Sequence, residues 1–126
     1  MKYPFSEKVD ILVTDYSIQL KDVDEDPGLK AATSCVYGYT DGIEKRIVLN
    51  DRSKRPKFDE KEMGVRAIAM AKKTLRHEIV HAFLIESGLQ YNTRAVTAWS
   101  DNEEMVDWIA LQAPKMIEAW TKAGAL

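Results

Sequence analysis

The spacing of hydrophobic and polar positions changes character halfway along the chain. Residues 9–20, VDILVTDYSIQL, are rich in β-branched side chains and partly alternate apolar with polar, the pattern of strands with one buried face. The acidic stretch DVDEDPG, ending at Pro27–Gly28, breaks that pattern and predicts a loop. Residues 32–40 are strand-like again. Thr40-Asp41-Gly42 predicts a hairpin, because Asp-Gly supplies the positive φ angles of a tight turn. IEKRIVL, 43–49, is then the returning strand. Asn50 to Lys57 is polar, contains Pro56 and predicts a connection.

From residue 60 to 87 the period is helical. Ile68, Ala71, Leu75, Ile79, Ala82 and Phe83 recur at three- and four-residue steps and form one apolar face. Gly88 should end this helix in a left-handed conformation, with Leu89 as the hydrophobic residue that follows. A loop over 89–99 leads to a second helix starting near Ser100, which Pro114 should kink or restart. Strands followed by helices predict one α+β domain over residues 1–126: a small antiparallel sheet with helices packed on one face.

Length and composition narrow the setting. A chain of 126 residues suits a single domain that needs no disulfide framework, and its one cysteine, Cys35, has no internal partner. Cys35 lies in the apolar stretch AATSCVYGY and reads as a small core residue of a protein in a reducing compartment. The 18 basic and 20 acidic residues leave a net charge of −2, which argues against binding nucleic acid through its phosphates. Lys54, Arg55 and Lys57 read as a solvated loop. The N-terminal MKYPFSEKVDILV has no apolar core of signal-peptide length, and no stretch approaches the roughly 18 apolar residues of a membrane span. The expectation is a soluble, cytoplasmic protein without a nucleic-acid or membrane partner.

Chemistry concentrates in TLRHEIVHAF, 74–83. His77 and His81 lie one helical turn apart, so their imidazoles can point at one metal ion. Glu78 is turned by about 100° from His77, so its carboxylate would reach a water on the metal instead of the metal itself. A metal acidifies such a water, and a carboxylate beside it can take the proton. The alternative is a helix with two partly buried histidines in ordinary hydrogen bonds. The chain has only two histidines and both fall in this segment.

A catalytic zinc site usually has three protein ligands, and with no third histidine the third is either a carboxylate or absent. DNEEMVDWIA, 101–110, is the best source. Glu103 is preferred because Asp107, four residues on and on the same helical face, could hydrogen-bond the outer nitrogen of a ligating histidine. Glu104 is the second choice. Against both stands a capping box, Ser100 to Glu103, in which Glu103 folds back on its own helix start. Glu86 reads as solvated. Tyr91 and Arg94 are candidate oxyanion-stabilising groups. Tyr37 and Tyr39 read as strand packing, and Trp99, Trp108 and Trp120 as core or helix-packing residues.

The residues 43–114 resemble gluzincin metallopeptidases, and within them the small phage and bacterial ImmA/IrrE-like proteins and the minigluzincins. TLRHEIVHAF looks like their active helix, and EEMVDWIALQAP, 103–114, like the helix that follows it. The resemblance implies a zincin-like fold, zinc on His77, His81 and Glu103, and Glu78 as general base. It also implies that IEKRIVL is an edge strand beside the active helix, receiving an extended substrate. The third-histidine pattern of metzincins and SprT-like proteases is absent. The expected function is a zinc-dependent peptidase acting on a peptide or protein. The alternative is a phage or bacterial regulatory or accessory zinc-binding module that binds a partner protein without turnover. A third possibility is a structural domain whose motif is accidental.

Overall fold

Alternating apolar positions build a sheet, and the long helical run packs across it. The computed structural model describes residues 3–31, 37–51, 62–91 and 98–126. Its elements are strand β1 (Lys8–Ile11), strand β2 (Thr14–Lys21), a short helix α1 (Pro27–Ala31), strands β3 (Gly38–Asp41) and β4 (Arg46–Asn50), helix α2 (Glu62–Glu86), a 3-10 turn (Trp99–Asp101) and helix α3 (Glu103–Lys122). The α+β class expected from the sequence is present. The calls on Cys35, Lys54, Arg55, Lys57 and Arg94 fall outside the described residues.

The sheet has the order β1-β2-β4-β3. The expectation of a purely antiparallel sheet is corrected: β1–β2 and β3–β4 are antiparallel, but β2 and β4 run parallel, with Ile18 opposite Ile47 and Leu20 opposite Leu49. The reason is the connection after β2. Lys21 and Asn50 are partners at one end of the sheet, and Gly38 sits opposite Leu49 at that same end. The chain therefore re-enters where it left, skips one strand position, and β4 returns into the gap.

The run 9–20 is also two strands and not one. Between Ile11 and Thr14 the chain turns through Leu12 (φ 51°) and Val13 (φ 69°), and Asp10 Oδ1 accepts the Val13 N–H at 3.1 Å. Neither residue carries a turn signal. Asp-Gly does mark the second hairpin, but through its aspartate: Asp41 Oδ1 accepts the N–H groups of Ile43 and Glu44, each at 3.0 Å, and the positive φ of 54° belongs to Lys45. The returning strand consequently starts at Arg46. The acidic loop hides α1, whose first turn is capped by Asp26 through the N–H groups of Gly28 (2.8 Å) and Leu29 (3.1 Å).

Ile11, Tyr16, Ile47, Leu49 and Ala82 form the buried core, with Leu75 and Ile79 of α2 packed against it. Phe83, expected on this face, is 41 % exposed and outside the buried core. The helix stop at Gly88 is as expected: φ is 84°, Gly88 N–H donates to Ile85 O and Leu89 N–H to Leu84 O. Gly38 brings β3 close to α2, since a Cβ there would lie 2.7 Å from Val48 O and 3.1 Å from Thr74 Cγ2.

Helix α3 runs through Pro114 without ending. A proline cannot donate to the carbonyl four residues back, here Ala110. That carbonyl instead accepts Arg76 Nε of α2 at 3.4 Å. Among the described residues no helix is long and apolar enough to cross a membrane.

Candidate metal centre

Helix α2 places His77 and His81 one turn apart, with ring centroids 4.7 Å apart and Nε2 atoms 3.0 Å apart. The start of α3 brings the carboxylate. Asn102, not Ser100, caps the helix: its Oδ1 accepts the Met105 N–H at 3.0 Å. Glu103 is thus relieved of any capping duty, and the capping-box pairing with Ser100 is replaced. Its Oε2 lies 2.9 Å from His77 Nε2 and its Oε1 3.1 Å from His81 Nε2. Glu104 is exposed, and the converging donor atoms belong to His77, His81 and Glu103.

The other ring nitrogens are held from behind. His77 Nδ1 lies 3.0 Å from Asp107 Oδ1, the carboxylate one turn after Glu103. His81 Nδ1 faces the main-chain carbonyl of Ser100, itself fully buried in the 3-10 turn. Both partners are acceptors, so a proton on Nδ1 would satisfy each of them and leave Nε2 free to bind a metal. Two Nε2 atoms and a carboxylate converge there, a donor set that could hold a metal ion. Tetrahedral zinc, with bonds of about 2.0–2.1 Å, sets its ligand atoms roughly 3.3 Å apart. The donor types and their separations fit such an ion.

Glu78 leaves this convergence point and turns toward β3. Its side chain is buried, and Oε2 accepts the Thr40 hydroxyl at 2.7 Å, while Thr40 Oγ1 also lies 2.9 Å from the Glu78 carbonyl. Burial pushes the Glu78 carboxyl above the ordinary glutamate value, against the opposing pull of the Thr40 hydrogen bond and the two histidines. Around the group opens a cleft of about 650 Å³, lined by β3, α2 and the start of α3, with Lys73, Ile85 and Asp101 on its walls.

Several sequence expectations change. IEKRIVL is not an edge: β4 lies between β2 and β3, and among the described residues the edge beside the cleft belongs to β3. Glu86 is not solvated. It accepts hydrogen bonds from Tyr16 (2.7 Å) and Thr14 (3.3 Å) and pairs with Lys45. Tyr39 donates to Asp26 at 2.9 Å, and burial with that partner raises its phenol to about 12. Trp99, Trp108 and Trp120 are about half exposed and are not core. Tyr91 is exposed. Sequence reasoning missed Thr40 and Ser100, whose roles rest on long-range contacts that no local pattern encodes.

No protein-family model matches the chain, and neither a curated protein nor a solved structure matches it significantly.

Proposed function

We propose that the chain is a zinc-dependent peptidase of zincin-like architecture, with His77, His81 and Glu103 holding the ion and Glu78 serving as general base. The observation that carries this reading is the convergence of two histidine nitrogens and one carboxylate beside a buried second carboxylate in an open cleft. Zinc held there would supply a Lewis-acidic centre that polarises a peptide carbonyl and acidifies water. Glu78 takes the proton from the attacking water and passes it to the leaving amine. Asp107 and the Ser100 carbonyl keep the rings oriented. Among the described residues β3 is an edge strand, which suits an extended peptide that can add to it as a further strand.

The exposed Trp108 and Trp120 on α3 favour a second reading, in which the same centre belongs to a module that binds a partner protein without cleaving it. One experiment separates the two. Metal content is measured for the wild type and Glu103→Ala, and peptide-library cleavage for the wild type and Glu78→Gln. The peptidase reading expects near-stoichiometric zinc that Glu103→Ala loses, and turnover that Glu78→Gln lowers by about 10²–10⁴-fold. Zinc without cleavage favours the binding module. A wild type that takes up no zinc would sink both.

A further inference from the structure

Thr40 meets the site with two different parts of itself. Its hydroxyl touches Glu78, while its backbone faces away from β4, to what is the sheet edge among the described residues. The ladder shows this. Ser17 N–H donates to Lys45 O and Asp51 N–H to Lys21 O, so the odd-numbered residues flanking and within β4 pair with β2. The even-numbered ones pair with β3, as Asn50 N–H does with Tyr37 O at 2.8 Å. In the register Gly38–Leu49 and Thr40–Ile47, Gly38 and Thr40 are therefore the non-bonded pairs of an antiparallel ladder. Their N–H and C=O groups point outward, at the edge beside the cleft.

We propose that Thr40 is a positioning residue that joins the docking edge of β3 to the carboxylate of Glu78. This rests on the peptidase reading and adds to it the group that aims the base. Threonine is stiff at χ1, so its hydroxyl goes where the strand backbone takes it. That hydroxyl has one proton for two acceptors, the Glu78 carboxylate at 2.7 Å and the Glu78 carbonyl at 2.9 Å. The carboxylate is the stronger acceptor, and the bond to it is charge-assisted. A peptide paired with the backbone of Thr40 thus presses on the strand segment that holds Glu78, and orders the base as it docks.

The test uses the full-length chain loaded with zinc, and acetohydroxamate as probe. This compound chelates metal through two oxygens, and its proton can be shared with a carboxylate beside the ion, so its affinity reports where Glu78 points. Thr40→Val removes the hydroxyl and keeps the shape and the strand preference. The expected result is wild-type zinc content with acetohydroxamate affinity weakened about tenfold, the scale of one hydrogen bond to a charged group. Glu78→Gln should weaken it at least as much, and Thr40→Ser should restore it. On a cleaved peptide, Thr40→Val should lower kcat about tenfold and leave KM within about twofold. Wild-type probe affinity in zinc-loaded Thr40→Val would overturn the role of Thr40 and leave the peptidase reading intact. Loss of folding or of zinc in both Thr40→Val and Thr40→Ala would make Thr40 a structural tie and overturn the proposal in the same way. A wild type without zinc overturns the reading and Thr40's role together.

Discussion

Glu86 shows how a side chain at the end of helix α2 can serve the fold. Its carboxylate gathers hydrogen bonds from Thr14 and Tyr16 of β2 and from Lys45 of the second hairpin. Those bonds, that of Lys45 first, hold its pKa below the ordinary glutamate value of 4.5. A carboxyl whose folded pKa is depressed adds stability that is fully present above its unfolded value and is lost as pH falls through the folded one. Glu86→Gln should therefore cost about 1–3 kcal/mol at pH 7, and less as the pH falls below 4.5, for example at pH 3. Urea denaturation at the two pH values checks this; an equal cost at both would show that charge is not what Glu86 contributes. Residues of this kind separate the legible from the hidden. His77, Glu78 and His81 could be read because the helical period alone aligns them, and Asp107 because it follows Glu103 by one turn. Glu86, Thr40 and Ser100 could not, since their partners arrive from distant segments.

At the scale of elements, turns were hardest to foresee where their chemistry is atypical. Leu12 and Val13 occupy left-handed φ values of 51° and 69° in a position that Asn-Gly would fill without strain. A left-handed conformation costs roughly 1–2 kcal/mol for a side chain with a Cβ, and more discomfort attends a β-branched one. Val13 is 94 % exposed, so no burial offsets that cost within the turn. Replacing the pair by Leu12→Asn with Val13→Gly should stabilise the protein by about 1 kcal/mol or more, read as a higher midpoint in urea. An unchanged or lower midpoint would mean that the two side chains stabilise the hairpin in some other way. Helices α2 and α3 were more legible than the strands, because fifteen or more residues of one period leave little freedom, whereas four-residue strands such as β1 and β3 are too short to carry a period of their own.

The class of the whole molecule followed from the order of strand-like and helix-like runs, but its topology did not. Which strand fills the gap between β2 and β3 depends on where the connection after β2 comes back, and local pattern is silent on that. The result is a cleft whose walls come mainly from β3, the face of α2 and the start of α3, with Asp101 of the 3-10 turn beside them. The proposed ion would bind α2 and α3 at once, so its binding free energy would add to the stability of the fold. At a free zinc concentration about 100 times Kd, the gain is about 2.7 kcal/mol. Thermal unfolding with zinc and with a chelator should show a corresponding drop in Tm on chelation, absent in Glu103→Ala. Equal Tm values in the wild type would argue that no ion bridges the two helices.

Pro114 bears on the same junction. Two packed helices can in principle slide past each other by a full turn, about 5.4 Å, and still mesh. On α3 such a slide would offer Asp107 to the histidines in place of Glu103. Along the part of α3 that lies on α2, the proline leaves one carbonyl, that of Ala110, without its own helical donor, and Arg76 reaches it. Arg76 is the immediate neighbour of His77. The missing bond in α3 therefore acts as an index mark: it favours one match of turns between the two helices, the one in which Glu103 meets the Nε2 atoms and Asp107 stands behind His77.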